Sequence, residues 1–302
     1  MPSSAPNDQL PEPGQVFLDH VAWMVPDITE AAAVFERLGF PLTPFSVHGD
    51  RDPATGALKP VGTANRLAML PQGYIEILTS VEGVDTPDTR HFESSISRHV
   101  GVHLLAFSVP EPKAEAARIA AAGIAMRPVV NLRRTIEAED GSAAEVAFTV
   151  VRAEFAHFPE ARTQLLAHHT PDHMWQRRYL PADNAIEGLA GATILAENPR
   201  AAAERFAVFT GREINPEASP LAIGLDRGFL QFVDARGAAE QFGQVAEPRP
   251  PAVAAITLTS RDLDKTRDFL LSQGFHPGAI DPSHLLIDQS EALGAHLIIV
   301  PA

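Results

Sequence analysis

With 302 residues, of which 45% are hydrophobic, the chain is long enough to bury a full core in one large or two ordinary domains. Its formal net charge of −14 argues against nucleic acids and anionic membranes as partners, because both attract basic surfaces. The absence of cysteine excludes disulfides, thiolate metal sites and cysteine nucleophiles, so any metal must be held by nitrogen and oxygen.

The N-terminal segment 1–14 is rich in Pro and Ser and lacks the basic and then apolar form of a signal peptide. No apolar run approaches the roughly 18 to 20 residues that a membrane span needs. We therefore predict a cytoplasmic protein with a disordered leader over residues 1–14. Its expected partner is a small-molecule substrate, with no nucleic acid and no membrane.

The first unit of the chain has the pattern strand, helix and further strands. An apolar strand candidate covers residues 17–25, and an amphipathic helix is predicted at about 28–38 because its apolar residues share one face. Two short apolar runs, 66–70 and 74–79, meet at Pro-Gln-Gly, which predicts a hairpin. This order is a βαβββ unit.

Between the helix and the hairpin lies a polar segment, residues 46–63. A loop of this length within a compact unit is often a lid or a binding loop. If residues 48–62 form such a loop, His48 could reach the substrate and act in catalysis. The alternative is that His48 is a solvent-exposed loop residue.

The same order recurs three more times along the chain. The recurring helices are predicted at about 113–122, 200–209 and 263–272, each ending near a glycine. A single unit leaves an open sheet edge and one apolar face, so two units pair to close a curved sheet around a cavity. We predict an α+β fold of four repeated βαβββ modules, paired into two half-open barrel domains over residues 15–181 and 182–302.

One histidine occurs near the start of the first strand in each of the first two units, His20 and His103. Histidines at matching places in repeated units are what a shared metal site needs. Glu76 lies between two isoleucines in an apolar strand, where an unpaired carboxylate would be costly and a cation would remove the cost. The alternatives are core histidines bonded to backbone carbonyls, and a salt bridge from Glu76 to Arg66.

Two imidazoles and one carboxylate suit iron(II), manganese, nickel or zinc, and iron(II) is our first expectation. The first strands of units three and four contain no histidine. We therefore predict that the C-terminal half has no metal site and is a structural or dimer-like cover. A second copy of the chain, in a homodimer, is the one protein partner that we consider.

The segment 62–66 (Gly-Thr-Ala-Asn-Arg), followed by 73–78 (Gly-Tyr-Ile-Glu-Ile-Leu), resembles the glyoxalase-like domain branch of the vicinal oxygen chelate superfamily. The resemblance extends more loosely over the second unit through residues 168–171 and Trp175. It implies a half-open barrel whose concave side holds a divalent metal, with ligands from the first and last strands of each unit. Residue by residue, it implies His20, Glu76 and His103.

The fourth ligand position lies on the last strand of unit two. By strand alternation either Gln164 or His168 could correspond to Glu76. Gln164 would give a glyoxalase-like set of four ligands, whereas His168, which we favour, would make a third histidine ligand or act as an acid–base group.

Three further residues are candidates for substrate binding. Asn65 and Arg66 could orient a substrate carboxylate or carbonyl, and Arg133 lies near a strand of the predicted cavity. Turn stabilisation for the first two and a surface charge for Arg133 are the alternatives.

The sequence has no nucleophile elbow, phosphate-binding glycine loop or dinucleotide fingerprint. Metal chemistry therefore leads. The predicted function is a metal-dependent enzyme acting on a small oxygen-bearing organic substrate, foremost a dioxygenase, since the four-unit layout resembles extradiol ring-cleaving dioxygenases. A glyoxalase-type lyase or isomerase, and a non-catalytic binding module, are the alternatives.

Overall fold

In a computed structural model of the chain, the strands form two eight-stranded curled sheets. The structure describes residues 9–51, 55, 58–243, 248–281 and 283–302. The first sheet has the order β2-β3-β4-β1-β5-β8-β7-β6. Its strands are β1 (Phe17–Met24), β2 (Ser46–Arg51), β3 (Leu58–Met69), β4 (Tyr74–Ser80), β5 (Gly101–Ser108), β6 (Val130–Glu137), β7 (Ala143–Arg152) and β8 (Arg162–His168).

The second sheet repeats this layout with the order β10-β11-β12-β9-β13-β16-β15-β14. Its strands are β9 (Ile186–Leu195), β10 (Ile214–Asn215), β11 (Leu221–Gly224), β12 (Phe229–Val233), β13 (Ala252–Ser260), β14 (Gly278–Asp281), β15 (His284–Ile287) and β16 (His296–Pro301). The α+β fold of paired βαβββ modules that form half-barrels is thereby confirmed.

The helices connect the strands. They are α1 (Ile28–Arg37), α2 (Pro87–Arg98), α3 (Pro112–Ala121), α4 (Pro171–Met174), α5 (Pro199–Thr210), α6 (Ala235–Phe242) and α7 (Leu263–Ser272). Helix α1 begins where predicted because the side chain of Asp27 accepts hydrogen bonds from the backbone N–H groups of Thr29 and Glu30. No helix in the described ranges combines the length and the apolar character needed to cross a membrane.

The two sheets share one hydrophobic core. Val21 and Trp23 of the first sheet belong to the same buried cluster as Ile194 and Ile256 of the second. The indole N–H of Trp23 also donates to the backbone carbonyl of Ala292, at 3.2 Å. The sheets are therefore packed against each other through these residues, which leaves the opposite, concave face of the first sheet for a cavity.

An internal two-fold relates the two modules of the first sheet. Strand β1 runs antiparallel to β5, with Val21 opposite Leu105, and each of the two strands pairs in parallel with the last strand of its own module, β4 or β8. Rotation about the Val21–Leu105 pair exchanges β1 with β5 and β4 with β8. This register decides which side chains of the second module correspond to those of the first.

The local structure differs from the predictions in two places. Residues 46–51 and the first part of β3 form an edge hairpin where the sequence predicted a lid loop, of which residues 52–54 and 56–57 lie outside the described residues. Its polar composition suits an edge strand with partly exposed side chains. Helix α2, which the repeat pattern did not predict, buries Phe92.

One residue of the predicted leader, Gln9, is packed against the first sheet. Residues 1–8 lie outside the described residues, but Gln9 is buried and its side-chain oxygen accepts from the backbone N–H of Gly73 at 3.2 Å. This amide contact holds the chain at Gln9 to the β3–β4 turn.

Candidate functional site

A cavity of about 630 Å³ lies on the concave face of the first sheet. All eight strands of that sheet contribute to its lining. Its apolar wall comes from Leu104, Leu132, Phe148, Val150 and Leu166. A largely apolar pocket with a few polar groups is the usual form of a small-molecule site.

Asp19 and His20 form a buried carboxylate–imidazole pair at one side of this cavity. Nδ1 of His20 lies 2.7 Å from Oδ1 of Asp19, and the ring of Tyr74 stacks on the imidazole at 4.3 Å. If Nδ1–H donates to the carboxylate, Nε2 keeps a lone pair, and His20 is the member of the pair that lines the cavity. The pair therefore presents a basic nitrogen to a bound molecule.

Asp19 also forms a hydrogen bond with a second histidine, His168. Nε2 of His168 donates to Oδ2 of Asp19 at 3.0 Å, and His168 does not line the cavity. Burial alone would raise the pKa of the Asp19 carboxyl, but His168 and then His20 outweigh burial and hold the pKa far below its ordinary value. Asp19 is therefore ionised and anchors both rings, and of these two rings His20 lines the cavity.

Sequence reasoning missed Asp19. The signal was present, because a carboxylate in an otherwise apolar strand needs a partner, which is the argument that singled out Glu76.

Glu76 lies on the cavity as predicted, among polar neighbours. The amide nitrogen of Asn65 donates to its Oε1 at 2.6 Å, and Nε2 of His48 lies 3.7 Å from the same oxygen. Burial would raise the pKa of Glu76, but His48, His20, Asn65 and Arg134 together lower it below its ordinary value. The cavity therefore contains an ionised carboxylate.

His48, predicted as a catalytic residue, also lines the cavity. Its Nδ1 lies 2.9 Å from the hydroxyl of Thr63. Burial, followed by the charge of Arg134, lowers the pKa of His48 to about 3. The ring is therefore neutral near pH 7 and cannot act there as a proton donor.

Gln164, not the favoured His168, occupies the position that corresponds to Glu76. Glu76 pairs with Ala22 on β1, and the two-fold carries that pair to Gln164 and Ala106. The amide of Gln164 lies 3.5 Å from Nε2 of His20. The place of the sequence-favoured histidine is thus filled by an amide.

The structure separates His103 from His20 and Glu76. Nε2 of His103 lies 2.9 Å from the backbone oxygen of His99, and His103 does not line the cavity. The two-fold carries His20 to Leu104 and Asp19 to His103. The match between His20 and His103 that the sequence suggested was therefore one residue out of register. In a strand, a shift of one residue moves a side chain to the other face of the sheet.

The residues present do not fit the metal site that the resemblance implied. The four related positions hold His20, Glu76, Leu104 and Gln164, and the leucine has no donor atom. Among the residues that the structure describes, no group of three His, Asp or Glu side chains could hold a metal ion. One imidazole and one carboxylate are short of the three protein ligands that catalytic metals commonly require.

The predicted substrate-binding residues divide by strand alternation. Asn65 faces the cavity, whereas Arg66 points away from it, and its Nε donates to the backbone oxygen of Thr43 at 3.1 Å. Arg133 reaches only the rim, where it pairs with Glu145 at 2.6 Å. Its neighbour Arg134 is the more buried of the two arginines.

Comparisons with known proteins agree with this architecture. The sequence model of the glyoxalase-like domain family matches residues 18–210, a range that contains every lining residue of the cavity. None of the curated protein sequences compared with the chain matches it.

Several solved structures share the fold at low sequence identity. A hypothetical protein from Staphylococcus aureus is 11% identical with a TM-score of 0.63, and the match covers 95% of this chain and 100% of that one. A mutant of 4-hydroxymandelate synthase from Streptomyces coelicolor is 12% identical with a TM-score of 0.56, over 95% and 93% of the two chains. A catechol 2,3-dioxygenase is 13% identical with a TM-score of 0.53, over 94% and 87%.

Proposed function

Because the chain belongs to the glyoxalase-like domain family, we propose that it is an enzyme of lyase or isomerase type that moves a proton on a small oxygen-bearing organic substrate. The observation that carries the proposal is the buried Asp19–His20 pair, whose imidazole lines the cavity. A carboxylate that fixes the tautomer of an imidazole prepares its second nitrogen for proton transfer.

In this mechanism His20 is the base. Its Nε2 takes a proton from a carbon beside an oxygen of the substrate and returns it to a neighbouring atom. The Asp19 carboxylate, 2.7 Å from Nδ1, and the ionised Glu76 both stabilise the imidazolium that forms. The amide of Gln164, 3.5 Å from Nε2 of His20, is a donor for negative charge that develops on the substrate oxygen.

Hydrogen–deuterium exchange tests the proposal without knowledge of the product. A panel of small hydroxy and oxo acids is incubated with the enzyme in deuterated buffer containing a chelator, and loss of C–H signals is followed by NMR. We expect exchange in at least one acid. His20→Gln should slow it by about 100-fold or more, because a general base contributes about 10²–10⁴-fold.

The matched control is His276→Gln, which removes an exposed histidine between α7 and β14 and should exchange at the wild-type rate. Equal rates in wild type and His20→Gln would contradict the proposal. A complete lack of exchange over the panel would favour the binding-module alternative.

A metal-dependent dioxygenase, the first expectation from sequence, is the second candidate. The observation that favours it is His48, whose Nε2 is buried without a hydrogen-bond partner among the described residues and lies 3.7 Å from Oε1 of Glu76. With His20, these side chains are two imidazoles and one carboxylate, the donor types suited to iron(II). Against this candidate, the three are not grouped closely enough to hold a metal ion, and no other group of three in the described part of the chain is. Elemental analysis of the purified protein, with oxygen uptake on a catechol panel, decides for this candidate if stoichiometric iron and uptake are both found.

A further inference from the structure

Two arginines, Arg152 and Arg162, form the floor of the cavity, and no sequence argument singled them out. Arg152 ends β7 and Arg162 begins β8, and both line the cavity. Arg162 shares its cavity-facing side of β8 with Gln164 and Leu166, because alternate residues of a strand face one way. We call these two residues the arginine pair.

The arginine pair has too little negative charge around it. Its nearest carboxylate is Asp88, whose Oδ2 lies 3.9 Å from Nη2 of Arg162. The other oxygen of Asp88 already accepts from Nη1 of Arg127, at 3.2 Å. Glu76 is the second carboxylate that acts on both arginines, so three guanidinium groups, those of Arg127, Arg152 and Arg162, share two carboxylates in a protein whose overall charge is −14.

The chemistry of the two side chains reflects this imbalance. Burial, and then the charge of Arg162, lower the pKa of Arg152 to about 9. Burial also lowers the pKa of Arg162. Uncompensated buried charges are costly, and a structural role alone would be served better by apolar side chains of similar volume.

Arg162 has donor capacity to spare. Its side chain is only 8% exposed, and its buried Nε–H has no hydrogen-bond partner within the described residues. Buried donors are rarely left unpaired. A guanidinium presents its N–H groups as a planar fork, which matches the two oxygens of a carboxylate.

The arginine pair is connected to the proposed base through one side chain. Oε1 of Gln164 accepts from Nε of Arg152 at 3.3 Å, and the amide nitrogen of Gln164 lies 3.5 Å from Nε2 of His20. An anion on the arginine pair would therefore lie one side chain away from His20. The apolar wall of the cavity leaves room for an organic body beside it.

We propose that the arginine pair is an anion subsite, and that the ligand of this cavity is a small organic acid whose carboxylate binds between Arg152 and Arg162. This inference deepens the proposed function: that the bound acid is a substrate rests on that function, whereas the subsite itself can be tested by binding alone. It places the carbon atoms next to the carboxylate nearest to Gln164 and His20.

Calorimetric titration at low ionic strength tests the subsite with benzoate and pyruvate as probes. Benzamide is the uncharged match of benzoate, and phenyl phosphate separates a carboxylate site from a phosphate site. We expect at least one of the two acids to bind saturably, in a 1:1 ratio and with higher affinity than benzamide. Arg152→Gln and Arg162→Gln should each weaken it by about tenfold or more, since hydrogen bonds between charged groups are lost.

Two further variants make the test specific. Arg236→Gln, which removes an exposed arginine of α6, should bind the acids as wild type does. Asp88→Asn removes the competing carboxylate and should tighten binding, whereas a purely structural Asp88 would weaken it when changed. If Arg162→Gln does not fold, Arg152→Gln and Arg152→Lys decide, because lysine keeps the charge but loses the fork.

The inference is overturned if neither acid binds saturably, if binding ignores the Arg152 and Arg162 substitutions, or if only phenyl phosphate binds. Its failure is distinguishable from that of the proposed function. His20→Gln should lose proton exchange and retain acid binding. Acid binding through the arginine pair without any exchange would sink the proposed function alone, and His20-dependent exchange with unaltered binding in the arginine variants would sink the subsite alone.

Discussion

At the scale of single residues, one carboxylate organises the proposed base. Asp19 is fully buried and contacts His20 at 2.7 Å and His168 at 3.0 Å. It fixes the orientation of a ring that faces the cavity and of one that does not. The two histidines differ in their surroundings: His20 lines the cavity, whereas the ring of His168 packs against those of Phe148 and Trp175, with centroids 5.1 and 4.8 Å away.

The substitution Asp19→Asn tests this role. We expect the free energy of unfolding to fall by about 1–3 kcal/mol near neutral pH, because buried hydrogen bonds to a charged group are replaced by mismatched ones. The control is Asp27→Asn at the N-terminus of α1, where asparagine caps a helix as well as aspartate does. Chemical denaturation at fixed pH measures both.

The pH dependence of that difference follows from the lowered pKa of Asp19. A carboxyl with a depressed folded-state pKa gives stability that is complete above its unfolded value of 3.8 and is lost as pH falls below that value. Wild type and Asp19→Asn should therefore converge as the pH falls below 3.8. A gap that stays constant between about pH 6 and pH 3 would show that shape, not charge, is responsible.

At the scale of elements, the turn between β3 and β4 places the cavity carboxylate. Gly73 has φ of +77° in this turn, and a Cβ there would lie 2.7 Å from the backbone oxygen of Asp19. Its neighbour Tyr74 stacks on His20, and Glu76 follows two residues later on the same face. A glycine is needed here for both conformation and close approach.

Gly73→Ala and Gly83→Ala separate these two reasons. Gly83 also has φ of +77° but meets no atom within 4 Å of an added Cβ. We expect Gly83→Ala to cost about 1–2 kcal/mol from backbone strain alone, and Gly73→Ala to cost about 1–3 kcal/mol more from the clash. Thermal unfolding measures both, and equal losses would argue against the close approach.

At the scale of the whole molecule, the two-fold of the first sheet explains why the cavity is asymmetric in chemistry. The paired modules supply equivalent backbone positions, but His20 is matched by Leu104 and Glu76 by Gln164. One module contributes the imidazole and the carboxylate, while the other contributes an amide and the arginine pair. The proposed acid–base group and the proposed anion subsite thus lie on opposite halves of one sheet.

Leu104→His restores the missing donor and tests the symmetry. With His20 and Glu76 the variant would have two imidazoles and a carboxylate at related positions, and we expect it to bind cobalt(II) at least about tenfold more tightly than wild type. Leu132→His adds a histidine to the same cavity away from the two-fold position and is the control. Equal affinities of the two variants, read from the visible spectrum of cobalt(II), would contradict the assignment of Leu104.

Patterns along the chain predicted the repeated βαβββ order and the α+β fold of paired half-barrels. They also singled out His20, Glu76, Asn65 and His48, which the structure places on one cavity. Helical and strand periodicities and glycine-terminated helices are local signals, so they can be read along the chain. A carboxylate in an apolar strand and a histidine on the first strand are equally local.

The partners of these residues could not be predicted from the sequence and became known from the folded arrangement of the strands. The one-residue register between β1 and β5 put Leu104 where His103 was expected and gave the position related to Glu76 to Gln164. Strand alternation turned Arg66 outward, and the sheet's curvature brought Arg152 and Arg162 to the cavity floor. Register and curvature arise from contacts between residues that are distant along the chain, and a slip of one residue exchanges the faces of a strand.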